Sequence, residues 1–136
     1  MPTQMASHQS QSSIPGLGVS GFINEYANQA DLRTFILSLR PDMPPTSTFA
    51  ALGLDGGSNP QRLDQAGIEA NLDIQYTVGL AQGVPVTFVS VGEDNGDGLG
   101  GFLDIVVALM TMDTPPRVLT TSYGQNEAGI SSAVAA

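Results

Sequence analysis

Apolar and polar positions follow two different periods along the chain, from about residue 14 onward. Short apolar runs bounded by glycine, proline or aspartate have the composition of β-strands, and four such runs cover residues 18–23, 48–54, 84–91 and 118–122. The run at 84–91 is almost continuously apolar, which is typical of a parallel strand covered on both faces. The sequence therefore predicts four strands, of which 48–54 is the weakest because two alanines lower its β-propensity.

Segments with helical period lie between these strands. Asp31 is a candidate cap for a helix in which apolar residues recur at i, i+3, i+4 and i+7. Asp64 precedes a second helix that runs to about Gln82. A third helix over 101–112 is apolar nearly all round, so we expect it to be well buried, and a fourth covers 126–136. Because strand and helix alternate four times, the sequence predicts an α/β fold with an open, mostly parallel sheet and about four flanking helices.

The composition fits one globular domain and narrows the classes of partner. The chain has 136 residues, enough for one hydrophobic core, and 41% of them are hydrophobic. Thirteen acidic residues stand against four arginines and no lysine, which gives a formal net charge of -9. Nucleic acid and anionic membranes would be repelled by such a surface, because binding to phosphates depends on basic groups. We therefore expect neither a nucleic-acid partner nor a membrane partner.

Cysteine and histidine chemistry is largely excluded. The chain has no cysteine, so disulfides, thiolate nucleophiles and cysteine-bound metals are ruled out. The single histidine, His8, lies in a polar stretch that is not expected to hold a base within reach of a nucleophile. The sequence has no run of 18 apolar residues, and its first 13 residues lack the pattern of a signal peptide. We expect residues 1–15 to be a flexible segment and residues 16–136 to form the folded unit.

Glu69 and Asp73 are the strongest candidates for chemistry. They are four residues apart on the second predicted helix and so lie on one face of it. Acidic pairs at this spacing are common on solvated helix faces, and that is the simplest interpretation. Most other positions of this helix are apolar, however, and a buried pair of carboxylates that shares a proton could serve as a general base at acidic pH. The spacing leaves both interpretations open.

Residues 93–104 approximate the spacing of a calcium-binding loop. Positions 1, 3, 5, 6 and 12 of that motif are occupied by Glu93, Asn95, Asp97, Gly98 and Asp104. The first and last residues differ from the motif, and a predicted strand precedes the segment where an EF-hand has a helix. A surface loop between strand and helix is the simpler interpretation, and calcium binding stays an alternative.

Two motifs stand out when the chain is considered as a whole. They are GIEANLDIQY at 67–76 and VLTTSYG at 118–124. Shorter motifs accompany them in order along the chain, namely GVSGFI at 18–23, NQADL at 28–32, DGGSNPQ at 55–61 and GVPV at 83–86. Together they resemble the sedolisin family of serine-carboxyl peptidases, in its fungal tripeptidyl-peptidase type, over about residues 16–132.

The resemblance implies a subtilisin-like fold in which a glutamate takes the place of a histidine base. Carried over by position, Glu69 would be the general base for a serine nucleophile and Asp73 its hydrogen-bonded partner. Ser122, Tyr123 and Gly124 would form a strand edge that binds an extended peptide substrate. The implied activity is the hydrolysis of peptide bonds at acidic pH through an acyl-enzyme, by an extracellular endopeptidase or tripeptidyl-peptidase.

Parts of the family pattern do not occur in these 136 residues. The family's oxyanion aspartate lies in an S-G-D motif and its nucleophile in a G-T-S motif, and the sequence contains neither. We expect either a fragment of a secreted peptidase that is inactive by itself, or a truncated paralogue without catalysis. The family's calcium site would lie in the missing C-terminal part, so we expect no cofactor in this chain. A non-catalytic peptide-binding module is the alternative function, and the sequence does not determine the oligomeric state.

Overall fold

The computed structural model describes residues 16–96, 99–124 and 126–132. In this part of the chain four strands form one sheet: β1 Leu17–Gly21, β2 Ala50–Leu54, β3 Val86–Val91 and β4 Val118–Thr120. Three α-helices flank them: α1 Gln29–Leu39, α2 Ile68–Leu80 and α3 Phe102–Thr111. Every strand pair is parallel, and the order across the sheet is β2-β3-β1-β4. The prediction of a parallel α/β sheet is confirmed, and the arrangement is consistent with part of a subtilisin-like fold.

Each strand is shorter than the apolar run that predicted it. β1 stops at Gly21 because Ile23 and Asn24 have φ angles of 52° and 58° and form a turn instead of continuing the strand. β3 begins at Val86 because Pro85 has no N–H to donate to a neighbouring strand. The carbonyl of Pro85 still accepts a hydrogen bond of 2.9 Å from the N–H of Leu17, which fixes the register of β1 against β3.

Helices cover both faces of the sheet, so the domain has three layers. α1 and α2 pack on one face, and their core contains Val19, Ala27, Leu32, Ile36, Met43, Phe49, Ala70, Ile74, Val78, Val86 and Phe88. α3 packs on the other face, whose buried residues are Phe22, Val89, Val91 and Ile105. Adjacent residues of β3 thus point to opposite cores, as the period of a strand requires. β3 is buried on both faces, as its continuous apolar run predicts.

Asn28, and not Asp31, caps α1. The Oδ1 of Asn28 accepts hydrogen bonds from the backbone N–H groups of Ala30 at 2.9 Å and Asp31 at 3.2 Å. The helix therefore starts two residues before Asp31, which lies in its first turn and accepts a 2.7 Å bond from Nδ2 of Asn71. The prediction that Asp31 caps α1 is wrong. Asn28 and Asp31 are both residue types that cap helices, and the helix begins at the earlier of the two.

The second helix also begins later than its sequence pattern predicts. Residues Leu63–Gln65 form a short 3-10 turn, and α2 starts at Ile68 with Gly67 as its N-cap. Asp64 is not the N-cap of α2 because it lies four residues before the helix begins, and its carboxylate accepts two bonds from Arg62, of 3.0 Å from Nε and 2.7 Å from Nη2. The first turn of α2 has no cap from its N-cap residue because Gly67 has no side chain.

The prediction that the third helix is well buried is wrong for most of its surface. Only Ile105 of α3 is buried, whereas the exposed fractions of Leu103, Val106, Val107 and Met110 range from 46 to 81%. The helix presents one side to the sheet, and no described residue covers its outer side. A helical pattern in the sequence indicates which side of a helix is apolar, but it does not indicate which other element of the fold covers that side.

Several sequence predictions concern residues outside the described ranges. These are the flexible segment at 1–15 with His8, and Asp97 and Gly98 of the calcium spacing. The predicted fourth helix lies partly outside them, and its described part has a 3-10 turn at Glu127–Gly129 where an α-helix is expected from residue 126. Ser132, the last described residue, is helical, so the predicted helix starts later than residue 126, and residues 133–136 of its predicted range lie outside the described residues.

Candidate active site

α2 holds both predicted carboxylates at the border between its buried side and solvent. The buried residues of this helix include Ala70, Ile74 and Val78, which anchor it to the core. Glu69 and Asp73 immediately precede Ala70 and Ile74, and both are half-buried. The apolar anchors therefore keep the two acidic side chains on one side of the helix, as their spacing predicts.

The segment after β4 reaches this side of α2. The Oγ of Ser122 donates a hydrogen bond of 3.0 Å to Oδ1 of Asp73, although the two residues are 49 positions apart. Ser122 and Gly124 are exposed and Tyr123 between them is half-buried. The structure thus brings the candidate acidic pair and the candidate peptide-binding segment into contact.

Asp73 is under two opposing influences. Burial raises the pKa of its carboxyl group because the ionised form loses solvation, while the bond from Ser122 lowers it. The Oδ2 atom is buried and has no hydrogen-bond partner among the described residues. Since burial is the larger effect, Asp73 holds its proton to a higher pH than an exposed aspartate and could donate through Oδ2.

The Glu69 carboxylate makes no hydrogen bond within the described part of the chain. In particular, no bond joins it to Asp73, whose Oδ1 accepts from Ser122 instead. The carboxylate-to-carboxylate bond implied by the family resemblance is therefore not formed among these residues. A half-buried carboxylate without a protein partner remains able to accept a proton from an incoming group.

Tyr123 forms the aromatic wall of the site. Its ring packs edge-on against Phe22 with centroids 5.2 Å apart, and Phe22 stacks on Phe102 at 4.4 Å. The Tyr123 hydroxyl is buried without a hydrogen-bond partner in the described structure. Burial, together with the negative charges of Glu25, Asp73 and Glu69, raises the pKa of Tyr123 to about 12. The tyrosine is thus neutral at any physiological pH.

Glu25 is a residue of the site that the sequence pattern missed. Its Oε2 accepts a hydrogen bond of 3.3 Å from the backbone N–H of Ala70, in the first turn of the helix that carries Glu69. The contact spans 45 positions, so no local pattern identifies it. The one available signal is the glycine at the helix start, because Gly67 has no side chain with which to cap α2.

The described residues form neither a metal site nor a membrane-spanning helix. No group of three or more histidine, aspartate and glutamate residues could hold a metal ion within the described ranges. Within the calcium spacing, Glu93 accepts a 3.1 Å bond from Nδ2 of Asn24, and Asn95 donates a 2.9 Å bond to the Gly92 carbonyl. None of the helices described is long and apolar enough to cross a membrane.

Comparisons with known proteins point to fungal peptidases, although no family model matches the chain. Over 126 residues it is 34% identical to a probable tripeptidyl-peptidase of Trichophyton verrucosum, covering 82% of this chain and 21% of that protein. It is 30% identical to a probable tripeptidyl-peptidase of Arthroderma benhamiae over 127 residues and to a tripeptidyl-peptidase of Arthroderma otae over 128 residues, in each case covering 84% of this chain and 21% of the relative. The resemblance predicted from the motifs is confirmed as similarity to these enzymes. The chain spans about a fifth of the length of the curated relatives it matches.

Proposed function

We propose that this chain is part of the catalytic domain of a sedolisin-type serine-carboxyl peptidase and supplies its general base. The similarity to fungal tripeptidyl-peptidases over most of the chain supports the assignment to peptide-bond hydrolysis. The observation that carries the proposal is the bond from Ser122 to Asp73, because it joins the acidic helix to the segment expected to bind the peptide.

In this proposal Glu69 is the base and Asp73 supports it. The Glu69 carboxylate removes the proton from a serine hydroxyl while the hydroxyl oxygen attacks the peptide carbonyl carbon, and the proton then passes to the leaving amine. Water repeats the sequence on the acyl-enzyme and releases the acid. A carboxylate remains available as a base at acidic pH, where histidine would be protonated. The serine and the oxyanion group would come from outside these 136 residues, which contain neither family motif.

The substrate in this proposal is a peptide that runs along the segment from Ser122 to Gly124. β4 ends at Thr120, so Ser122–Gly124 lies just beyond the strand and does not form the strand edge that the sequence predicts. β4 itself pairs only with β1 among the described strands, and a peptide that pairs with its other side would continue past this segment. The ring of Tyr123 with Phe22 behind it offers an apolar wall to a substrate side chain. Tripeptidyl-peptidase activity and secretion to an acidic extracellular medium are the finer parts of the proposal, and they rest on the similarity to the fungal relatives.

The test is the Glu69→Gln variant in a protein extended to the length of the relatives. We expect kcat/KM for a chromogenic peptide at acidic pH to fall by about 100-fold or more, because the amide cannot accept the proton. Asp113→Asn is the matched control, since it removes one negative charge from an exposed residue just before β4 begins. Circular dichroism would verify that both variants fold. Wild-type turnover in a folded Glu69→Gln protein contradicts the proposal.

A non-catalytic peptide-binding module is the second candidate function. It is favoured by the open side of β4, which could bind a strand with no nucleophile present. The test is calorimetric titration of the 136-residue chain with an extended apolar hexapeptide. Tyr123→Pro should abolish binding because it removes a backbone donor, whereas Tyr123→Phe keeps the donor and serves as the control. No saturable binding by the unsubstituted chain would remove this candidate.

A further inference from the structure

The helix that carries Glu69 begins without a cap of its own. Its N-cap residue is Gly67, which has no side chain to accept hydrogen bonds from the N–H groups of the first turn. Such groups need a partner from elsewhere when the helix start is not fully solvated. The partner here is Glu25, which lies in the loop between β1 and α1 and accepts the 3.3 Å bond from Ala70.

Glu25 and Gly67 fit each other closely. A Cβ atom at Gly67 would overlap the carboxylate of Glu25 and would also come within 3.0 Å of the backbone nitrogen of Tyr26. The backbone N–H of Gly67 donates a 2.9 Å bond to the carbonyl of Tyr26. One main-chain bond and one side-chain bond therefore join the loop after β1 to the start of α2. The absence of a side chain at Gly67 is what gives the Glu25 carboxylate access to the helix.

We propose that Glu25 is a positioning residue that fixes the first turn of α2 and thereby the direction of the Glu69 side chain. This inference rests on the proposed function of Glu69. The bond from Ala70 holds the peptide unit that follows Glu69, so the backbone of Glu69 is restrained on its carboxyl side. The positive end of the helix dipole favours the negative charge of Glu25 at this place.

The charges near Tyr123 agree with the placement of Glu25 beside the start of α2. Glu25, Glu69 and Asp73 each raise the pKa of Tyr123, so the four titratable groups lie within electrostatic reach of one another. The bond from Ala70 is the contact that joins the Glu25 side chain to α2 at this place.

The first test measures order at the helix start in the 136-residue chain. Amide exchange of Ala70 and the three-bond couplings that report χ1 of Glu69 are compared between the wild type and the Glu25→Ala variant. We expect the protection of the Ala70 amide against exchange to fall roughly fivefold or more, as for loss of a helix cap. The couplings of Glu69 should change to values averaged over several χ1 rotamers. Gly67→Ala should have the same effect because its methyl group displaces the carboxylate.

Two further variants separate positioning from charge. Glu25→Gln keeps an acceptor oxygen and should retain the protection of Ala70, although removing the charge should lower the pKa of Tyr123. Glu93→Ala is the matched control, since Glu93 is an acidic residue that accepts a hydrogen bond from Asn24, next to Glu25, and has no hydrogen bond to α2 in the described part of the chain. It should leave Ala70 and Glu69 unchanged. If Glu25→Ala does not fold, Glu25→Asp shortens the side chain by one methylene and should show the same loss of protection.

The inference is overturned if a folded Glu25→Ala or Glu25→Asp protein keeps both the Ala70 protection and the Glu69 couplings of the wild type. In the extended protein, Glu25→Ala should lower kcat about tenfold with little change in KM, because misplacing a base affects the chemical step more than binding. The NMR measurements do not depend on activity. An active Glu69→Gln enzyme would therefore refute the proposed function without changing the result for Glu25 at the helix start.

Discussion

The hydroxyl of Ser122 donates a 3.0 Å hydrogen bond to Oδ1 of Asp73 and so joins the end of β4 to α2. The donor is exposed and the acceptor is half-buried, so a bound peptide could compete for the hydroxyl. Because this bond opposes the effect of burial on Asp73, whatever lengthens or breaks it changes the affinity of Asp73 for a proton. Substrate binding and proton transfer would then be linked through one side chain.

Removing the hydroxyl should raise the pKa of Asp73 further. In Ser122→Ala the carboxyl group keeps its burial but loses the one bond that favours its ionised form. The measurement is the pH titration of the Asp73 carboxyl carbon by NMR. Thr121→Ala, at the exposed neighbouring position, should leave that titration unchanged. An unchanged titration in Ser122→Ala would show that the bond is not formed in solution.

Asp73→Asn should change how stability depends on pH. The pKa of Asp73 is raised from its ordinary value of 3.8, so the folded protein binds this proton more tightly than the unfolded chain. The resulting contribution to stability is fully present below pH 3.8 and is lost as pH rises through the higher pKa of the folded state. We therefore expect Asp73→Asn to be more stable than the wild type at neutral pH, with the difference shrinking on acidification. Urea unfolding between pH 3 and pH 7 would measure this, and a difference that does not vary with pH would contradict it.

Tyr123 should titrate in strongly alkaline solution. Its pKa is raised from 10.0 to about 12, so the folded protein keeps a proton that the unfolded chain loses. The contribution to stability is present below pH 10 and is lost as pH rises towards 12, so the wild type should lose stability across this interval. The tyrosinate absorbance step near pH 12 should be absent in Tyr123→Phe and retained in Tyr76→Phe, with far-ultraviolet dichroism recorded in parallel. A wild-type protein without that step would refute the burial of the hydroxyl.

Loss of the cap of α1 should destabilise the whole domain. Asn28 is buried and its side chain accepts two backbone bonds at the helix start, so Asn28→Ala should lower the free energy of unfolding by about 1 kcal/mol. Arg33→Ala, at an exposed position of the same helix, should change it by less than about 0.5 kcal/mol. Chemical denaturation would measure both variants. Equal stability of Asn28→Ala and the wild type would show that the cap contributes nothing.

The sequence predicted the features that depend on local pattern. The continuous apolar run around Phe88 identified the buried strand, and the four-residue spacing of Glu69 and Asp73 placed both carboxylates on one side of α2. The alternation of strands and helices was sufficient for the parallel sheet, because parallel neighbours need long crossovers. The first two signals lie within about ten consecutive residues, and the third is the order of such local signals along the chain.

The features that were missed depend on contacts between distant segments. Glu25 meets Ala70 only because β1 and α2 are brought together in the fold, and nothing around Glu25 in the sequence indicates it. The sequence does not determine the start of α1, because Asn28 and Asp31 are both good capping residues. In the fold, the backbone N–H of Asn28 also donates a 2.8 Å bond to Oδ1 of Asn71 on α2, and Asn28 is the residue that caps the helix. The exposure of Met110 was missed because an apolar pattern does not say which element will cover it.

The position of β1 in the middle of the sheet has a consequence for how the protein folds. Among the described strands β1 comes first in the sequence, but its neighbours are β3 and β4, so both of its partners are synthesised after β2. Until Val86–Val91 has been made, neither β1 nor β2 has a strand to pair with, since β3 lies between them. The segment between β1 and β3 must be brought together before these strands can pair, and closing a loop of this length is slower than forming a helix. We expect folding to wait for β3 and then to proceed in one concerted step, with mutations in β3 slowing it more than mutations in α1.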